Sequence, residues 1–500
     1  MLDSRFHADV QKFLAPVDKD LFIDGKAYQS TSDKRIEVVN PATGSVIATV
    51  PDANQEDINV VVASARQAFD SGVWSDMPPT ERERRLLNLV QVIENHAEEL
   101  QHLLVAENGK LLSAAQREVG GASRYTRYAA GWTTKIAGET LDVSYTAPNT
   151  DYFAYTVREP LGVVVGIIPW NFPLNMAIWK SMSALACGNT IILKPSEETP
   201  LSALRLAELA LEADIPAGVI NVVTGYGHTA GASLVSHPDI NKVAFTGSTA
   251  TGKKIGQAAL ANMTRVSLEL GGKGAVIVLE DADMSSVPAH IAKGIFYNQG
   301  QVCAAGSRVY VHKSHFEQVV ESVGQIANKM TIGSGLDSGV QLGPLVSQGQ
   351  HQRVLNYIGQ GLADGADLAF GGQAVEREGY FVEPTVLVNT SQEMSVVQEE
   401  IFGPVLVAMP FDNISDVIRM ANDSPYGLGA AIFTNNLSRA HRMIKKLKAG
   451  SVYVNSPVRI DANLPFGGYK QSGYGREHGS SIIDTYTELK SVVIGYNTED

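Results

Sequence analysis

Leu161-Gly162-Val163-Val164-Val165-Gly166-Ile167-Ile168-Pro169-Trp170-Asn171-Phe172-Pro173 opens the part of this chain that decides its fold, and Asn189-Thr190-Ile191-Ile192-Leu193-Lys194 closes it. A short Val/Ile run ends at Pro169, an apolar segment of helical length follows, and a second β-branched run comes next. The pattern predicts a buried strand over 163–168, a helix over 173–186 and a strand over 190–194. Strands apolar at every position belong to parallel sheets covered on both faces. Further strands are expected over 219–223 and 242–245, each followed by a helix, and Thr199-Pro200 is expected to start another helix with Pro at its first position. Alternating strand and helix makes an α/β fold with a parallel sheet, which binds ligands at the carboxyl ends of its strands. Lys194, Thr246 and Gly247 fall there.

Outward from this centre, a second α/β body begins at Ala275-Val276-Ile277-Val278-Leu279 and runs to about Lys490. Before the centre, Ile58, Val62, Ala65 and Phe69 share a helical face, and Thr80 with Glu83 has capping-box spacing ahead of the apolar run from Leu86 to Ile93. Two segments fit neither body. Residues 151–157 alternate as a half-exposed strand, and residues 491–494 form a terminal β run. Open strand edges invite pairing, so both are candidates for subunit contact.

A chain of 500 residues suggests roughly three domains. Its 44% hydrophobic and 19% charged residues are those of an ordinary globular protein. A net charge of −13 without a Lys/Arg block argues against a nucleic-acid partner. Two cysteines cannot build a disulfide framework, which points to the cytoplasm. The first residues are too polar for a signal peptide, and Phe6, Val10, Phe13 and Leu14 share a helical face instead. The longest apolar run, 161–170, is half of the about 20 residues that cross a bilayer, so no membrane association is expected. Eleven histidines show no metal-ligand spacing, and no metal is assigned.

Chemistry enters with Phe296-Tyr297-Asn298-Gln299-Gly300-Gln301-Val302-Cys303-Ala304, which delivers a thiol at the polar end of a helix. A free cysteine is most often core filler, and Cys187, in the apolar Ala184-Leu185-Ala186-Cys187-Gly188, is read that way. Cys303 is different, because Glu269-Leu270-Gly271-Gly272-Lys273 offers a carboxylate and Pro169-Trp170-Asn171-Phe172-Pro173 an amide. Nucleophile, base and oxyanion donor are the parts that thiol-based acyl chemistry needs. Phe245-Thr246-Gly247-Ser248-Thr249-Ala250-Thr251-Gly252-Lys253-Lys254 nearly matches a P-loop but lacks Ser or Thr at 254. Either way it is a helix N-terminus suited to a phosphate. Taken alone, Leu193-Lys194-Pro195-Ser196-Glu197 could be a solvated loop, Glu399-Glu400-Ile401-Phe402-Gly403-Pro404 a turn, and the string from Pro465 to Gly473 a glycine-rich loop.

In this order and spacing, these motifs together resemble the aldehyde dehydrogenase family from about Ile36 to Val493. The resemblance implies a Rossmann-type NAD-binding domain (1–141 and 161–271), an α/β catalytic domain (272–487), and small β oligomerisation segments (142–160 and 488–500) serving a homo-oligomer, tetramer or dimer. It implies Cys303 as nucleophile, Glu269 as base and Asn171 as oxyanion donor. The cofactor would lie against Ile167, Trp170, Lys194, Glu197, Gly227, Gly247, Ser248, Glu400 and Phe402, with Glu197 on a ribose and so favouring NAD over NADP. Gly274 departs from the family's usual Asn or Ser. The aldehyde tunnel would be lined by Phe172, Trp179, Tyr297, Val302, Ile460 and Phe466, an apolar and aromatic set. Gly120-Gly121 within a helix is expected to leave room for a ring at Gly121, since Gly costs about 1 kcal/mol against Ala in a helix. The run from Ile460 to Gly468 is similar to that of members that oxidise phenylacetaldehyde, so an arylacetaldehyde is the expected substrate, with a broad aliphatic range as the alternative. Three remoter alternatives are a P-loop nucleotide hydrolase using Lys253, a cofactor-free cysteine hydrolase using Cys303, and a catalytically silent NAD-binding protein.

Overall fold

The computed structural model describes residues 3–456 and 458–498. The outermost residues of the expected first and last segments, 1–2 and 499–500, lie outside that range. The strands Val163–Ile167 and Thr190–Lys194 and the helix Pro173–Ala186 fall where the sequence places them. The eight-stranded sheet built on them runs in the order Gly473–Tyr474, Arg265–Glu269, Lys242–Thr246, Val163–Ile167, Thr190–Lys194, Ile220–Val222, Leu21–Ile23, Lys26–Tyr28. Its five central strands are parallel, and the outer ones pair antiparallel. Val163, Val165 and Ile192 pack with Ile58, Val61 and Val62 of the helix Gln55–Asp70, while Val164 and Ile191 pack with the helix Pro173–Ala186. Each such side chain, fully buried, contributes about 1.5–3 kcal/mol, which is why the strands carry no polar alternation.

A seven-stranded sheet runs Asp367–Phe370, Thr385–Val388, Val405–Phe411, Arg308–His312, Ala275–Val278, Gly429–Phe433, Ser451–Val454, parallel except at its first pairing. The short strand Gly473–Tyr474 leaves this half of the chain and pairs with Arg265–Glu269 of the first sheet, so the two bodies are stitched beyond the expected boundary at 271/272.

The two stray segments are longer than the sequence suggests and find each other. Thr150–Pro160 and Thr487–Asn497 pair antiparallel through eleven residue pairs, and Thr140–Leu141 adds a third strand. Their edges are therefore largely used within the chain, leaving Thr487–Asn497 at one open edge of the sheet. Leu489, Val493, Ile494 and Tyr496 remain about half exposed there.

Two helix starts differ from expectation. The helix Pro79–Asn95 begins before Thr80, with Pro78 at its cap and no side-chain cap bond. Proline at the first position presets the backbone and has no N–H to satisfy, so Thr80 and Glu83 sit inside the helix. The helix Leu201–Glu212 starts after Pro200, and Thr199 Oγ1 is buried without a partner. Its first N–H groups, of Leu201 and Ser202, donate to the Glu107 carboxylate at 2.7 and 3.2 Å. A carboxyl group from a distant helix replaces the local cap.

Candidate active site

Register brings the first half of the site together. Ile167 pairs with Lys194, Phe245 with Ile167, and Thr246 with Glu269. Four neighbouring strands thus end at one level, delivering Lys194, Thr246, Gly247 and Glu269 to one rim, with Trp170 and Asn171 following Ile167. The other half comes from the loops entering the second sheet. Gly271-Gly272 precedes Ala275–Val278, Cys303 precedes Arg308–His312, and Glu400 to Gly403 precede Val405–Phe411. Carboxyl ends of one sheet meet amino ends of the other across a cleft of about 310 Å³ lined by Asn171, Glu269 and Cys303 together.

The thiol loop is held in an unusual backbone. The helix Val287–Phe296 breaks into a tight turn in which Asn298 and Gln299, both buried, have φ of 50° and 57°. Non-glycine residues in this left-handed region are uncommon, and the surroundings must hold them there. Asn298 Nδ2 donates to Asn171 O at 3.1 Å, and Asn171 Nδ2 donates to Gln301 O at 2.9 Å. A side chain on Gly300 would strike the carbonyl of Gly403, and one on Gly272 would strike that of Cys303. The glycines are therefore contact surfaces between the loops. Gly274 is explained in the same way, since a Cβ there would come within 2.5 Å of Ala305 O.

Asn171 is fixed from behind. Lys110 Nζ donates to its carbonyl at 3.0 Å, and Asn108 Nδ2 to that of Trp170 at 2.8 Å. Lys110 is paired with Glu118, both fully buried, and Glu118 accepts the N–H groups of Leu174 and Asn175 at 3.1 Å. That carboxylate caps the helix Pro173–Ala186, where Pro173 occupies the first position.

Electrostatics suits a site that must be switched on. Burial, followed by the nearby Glu400 and Glu269, pushes the Cys303 thiol up to about 12, although the residue lines the cleft. Burial and then Glu477 hold the Glu269 carboxyl well above the usual range, and neither of its oxygens has a hydrogen-bond partner. Glu477 also lines the cleft and is ion-paired with the buried Lys180. Burial pushes Glu400 up to about 7, and it accepts the N–H of Gly272 at 2.9 Å.

Phe172, Met176, Trp179, Val302, Ile460 and Phe466 form the apolar wall. Tyr297 stands one layer back, stacked on Phe172 at 6.3 Å and 23°. Gly121 does not line the cleft. A Cβ there would meet the Asn175 amide at 3.1 Å, so its missing side chain makes room for a neighbouring helix and not for a ligand ring. Cys187 is buried, with burial pushing its thiol up to about 12, as core filler should be.

Trp170, Gly247, Ser248, Glu400 and Phe402 lie along the cleft, with Phe402 edge-on to Trp170 at 5.2 Å. Ile167, Lys194, Glu197 and Gly227 lie outside the lining itself, the first two at the strand ends. Ser248 caps the helix Thr249–Ala259. Lys253, which a P-loop would aim at phosphates, donates instead to Gln471 Oε1 at 2.9 Å. Among the described residues there is no group of three His, Cys, Asp or Glu able to hold a metal ion, and no helix long and apolar enough to cross a membrane.

The aldehyde dehydrogenase family model matches residues 28–492. Phenylacetaldehyde dehydrogenase of Pseudomonas fluorescens is 51% identical over 480 residues, covering 95% of this chain and 96% of that one. The putative aldehyde dehydrogenase DhaS of Bacillus subtilis is 48% identical, covering 96% of each. The solved NAD⁺ complex of an aldehyde dehydrogenase from Bacillus cereus superposes with a TM-score of 0.96 at 47% identity, covering 99% of both chains. Fold, cleft and sequence agree: the chain belongs to the aldehyde dehydrogenase family.

Proposed function

We propose that this enzyme oxidises an arylacetaldehyde, such as phenylacetaldehyde, to its carboxylic acid with NAD, through an adduct on Cys303. The observation that carries this is a single cleft in which thiol, amide and partnerless carboxylate share an aromatic wall of Phe172, Trp179 and Phe466.

The rim fits a dinucleotide. Thr246 Oγ1 is buried without a partner, a Cβ on Gly227 would meet nothing, and the capped helix start at Ser248 offers N–H groups for a phosphate. Lys194, whose ammonium is 3.9 Å from Glu197, and Glu197 itself would hold ribose hydroxyls. Trp170, Gly247, Glu400 and Phe402 would hold the rest. A carboxylate at 197 repels a 2′-phosphate, which favours NAD over NADP. When bound, NAD supplies a hydride acceptor and a positive charge that offsets the carboxylates around the thiol.

Cys303 Sγ, as thiolate, attacks the carbonyl carbon, and the Asn171 amide and the Cys303 N–H stabilise the resulting oxyanion. As the carbon gives up hydride, the thiohemiacetal becomes a thioester. Glu269, once ionised, is a stronger base than an ordinary carboxylate because its environment raises its proton affinity. It takes a proton from the water that attacks the thioester; the C–S bond breaks, and the acid leaves. An apolar wall gains about 25 cal/mol per Å² of apolar surface buried, so a ring outranks a methyl group. A panel of aldehydes with NAD⁺ and NADP⁺ tests this, phenylacetaldehyde with NAD⁺ being expected to give the highest kcat/KM. Betaine aldehyde ranking first, or turnover surviving in Cys303→Ala, would refute it.

We place the chain in the cytoplasm, a compartment that keeps both of its free thiols reduced. We divide the chain into cofactor (1–141, 161–271), catalytic (272–487) and assembly (142–160, 488–500) segments; the three larger sheets support this division, although Thr140–Leu141, Gly473–Tyr474 and Thr487 cross its boundaries. The open edge at Thr487–Asn497 supports homo-oligomer assembly. Light scattering of a chain ending at Lys490 tests this, with an unchanged mass counting against it.

A further inference from the structure

His478 follows Glu477 directly, is 1% exposed, and has a left-handed backbone (φ 64°). Its Nδ1 lies 3.2 Å from the carbonyl of Asp461, in the loop that carries Ile460 to the cleft mouth. A carbonyl only accepts, so Nδ1 carries the proton. Nε2 is then a buried acceptor, and it has no partner. An apolar side chain would avoid that penalty. The ring stands edge to face against Trp179, with centroids 4.2 Å apart at 83°, and lies 4.6 Å from Tyr125, whose hydroxyl is tied to Ser183 at 2.7 Å. Trp179 therefore sits between the cleft and a ring clamped to two anchored elements.

We propose that His478 is a positioning residue for the aldehyde. Its ring props the Trp179 indole against the cleft and so sets how closely an aryl group is gripped. The hydrogen bond to Asp461 orients the ring, and burial, which pushes the imidazole's pKa down, keeps it neutral. Without the ring, Trp179 can settle back and the wall no longer meets the substrate. A short aldehyde reaches little of that wall and is indifferent to the change. The proposal rests on the arylacetaldehyde reading of the cleft.

The test is steady-state kinetics of His478→Asn with phenylacetaldehyde and acetaldehyde at saturating NAD⁺. Asparagine tolerates a left-handed backbone and keeps an N–H donor for Asp461, so the ring alone is lost. KM for phenylacetaldehyde should rise about fivefold, which is about 1 kcal/mol of lost aromatic contact. Its kcat, and kcat/KM for acetaldehyde, should stay within about twofold of wild type. Equal losses for both aldehydes, or no change for either, would overturn the proposal. His478→Phe keeps a ring and should retain the wild-type ratio of the two aldehydes; a Phe variant as selective in its loss as the Asn variant would also overturn it. A wild type that prefers acetaldehyde would refute the arylacetaldehyde reading, whereas the proposal is read from the change between variant and wild type.

Discussion

Two buried lysine–glutamate pairs stand beside the cleft, and they are built differently. Lys110 and Glu118 are saturated: the lysine also holds the Asn171 carbonyl, the glutamate caps a helix with two N–H bonds, and the ammonium lies 4.6 Å over the Phe172 ring. Lys180 and Glu477 are not, because Glu477 Oε2 has no partner and its charge raises the proton affinity of Glu269. A buried pair with every valence filled is a strut. A pair with one oxygen unpartnered and a charge felt by Glu269 is a source of field. Geometry comes from the first and titration from the second.

The strut can be broken most severely. Glu118→Ala leaves Lys110 without its counter-ion in a dry interior, and should cost about 3–5 kcal/mol in urea unfolding. A change below about 1 kcal/mol, the scale of an exposed pair, would mean that the pair bears no structure. Glu269→Gln sharpens the other side by removing the group on which the field acts. Reduced cofactor should appear in a burst of about one per site, followed by turnover slower by about 10²-fold or more. Slow acylation without a burst would move the main role of Glu269 to activating the thiol.

The subtlest effect belongs to Glu477→Gln. As the proposed base, Glu269 must be ionised to act, so kcat should fall as pH drops through its raised pKa. Removing the negative neighbour lowers that pKa, and the acid limb of the profile should move to lower pH. A limb that stays in place would mean that burial alone sets Glu269.

The central strands, the helix after Asn171 and the convergence of Cys303, Glu269 and Asn171 could all be read in the sequence. Apolar runs and glycine strings announce themselves over short distances. The supports could not be read. Glu107, Lys110 and Glu118 look like solvated surface in a linear text, and only packing reveals that Glu107 caps the helix that Thr199-Pro200 seemed to start by itself. Gly121 misled for a related reason. A missing side chain signals a close approach but not which neighbour approaches, and here it is Asn175. Nothing in the sequence marks His478, because its ring meets Trp179, a residue far away in the chain.

The strand Gly473–Tyr474 has a consequence for timing. It pairs with the strand ending in Glu269, and Phe466, Gly467 and Glu477, which close around that carboxylate, come from the same late stretch of chain. A ribosome adds about 5–20 residues per second, so Cys303 exists for about ten seconds or more before the residues that complete its cleft are made. The growing polypeptide carries the Cys303 thiol but not the walls that would hold an aldehyde against it. Catalytic competence thus arrives last, when nearly the whole chain is present to be folded.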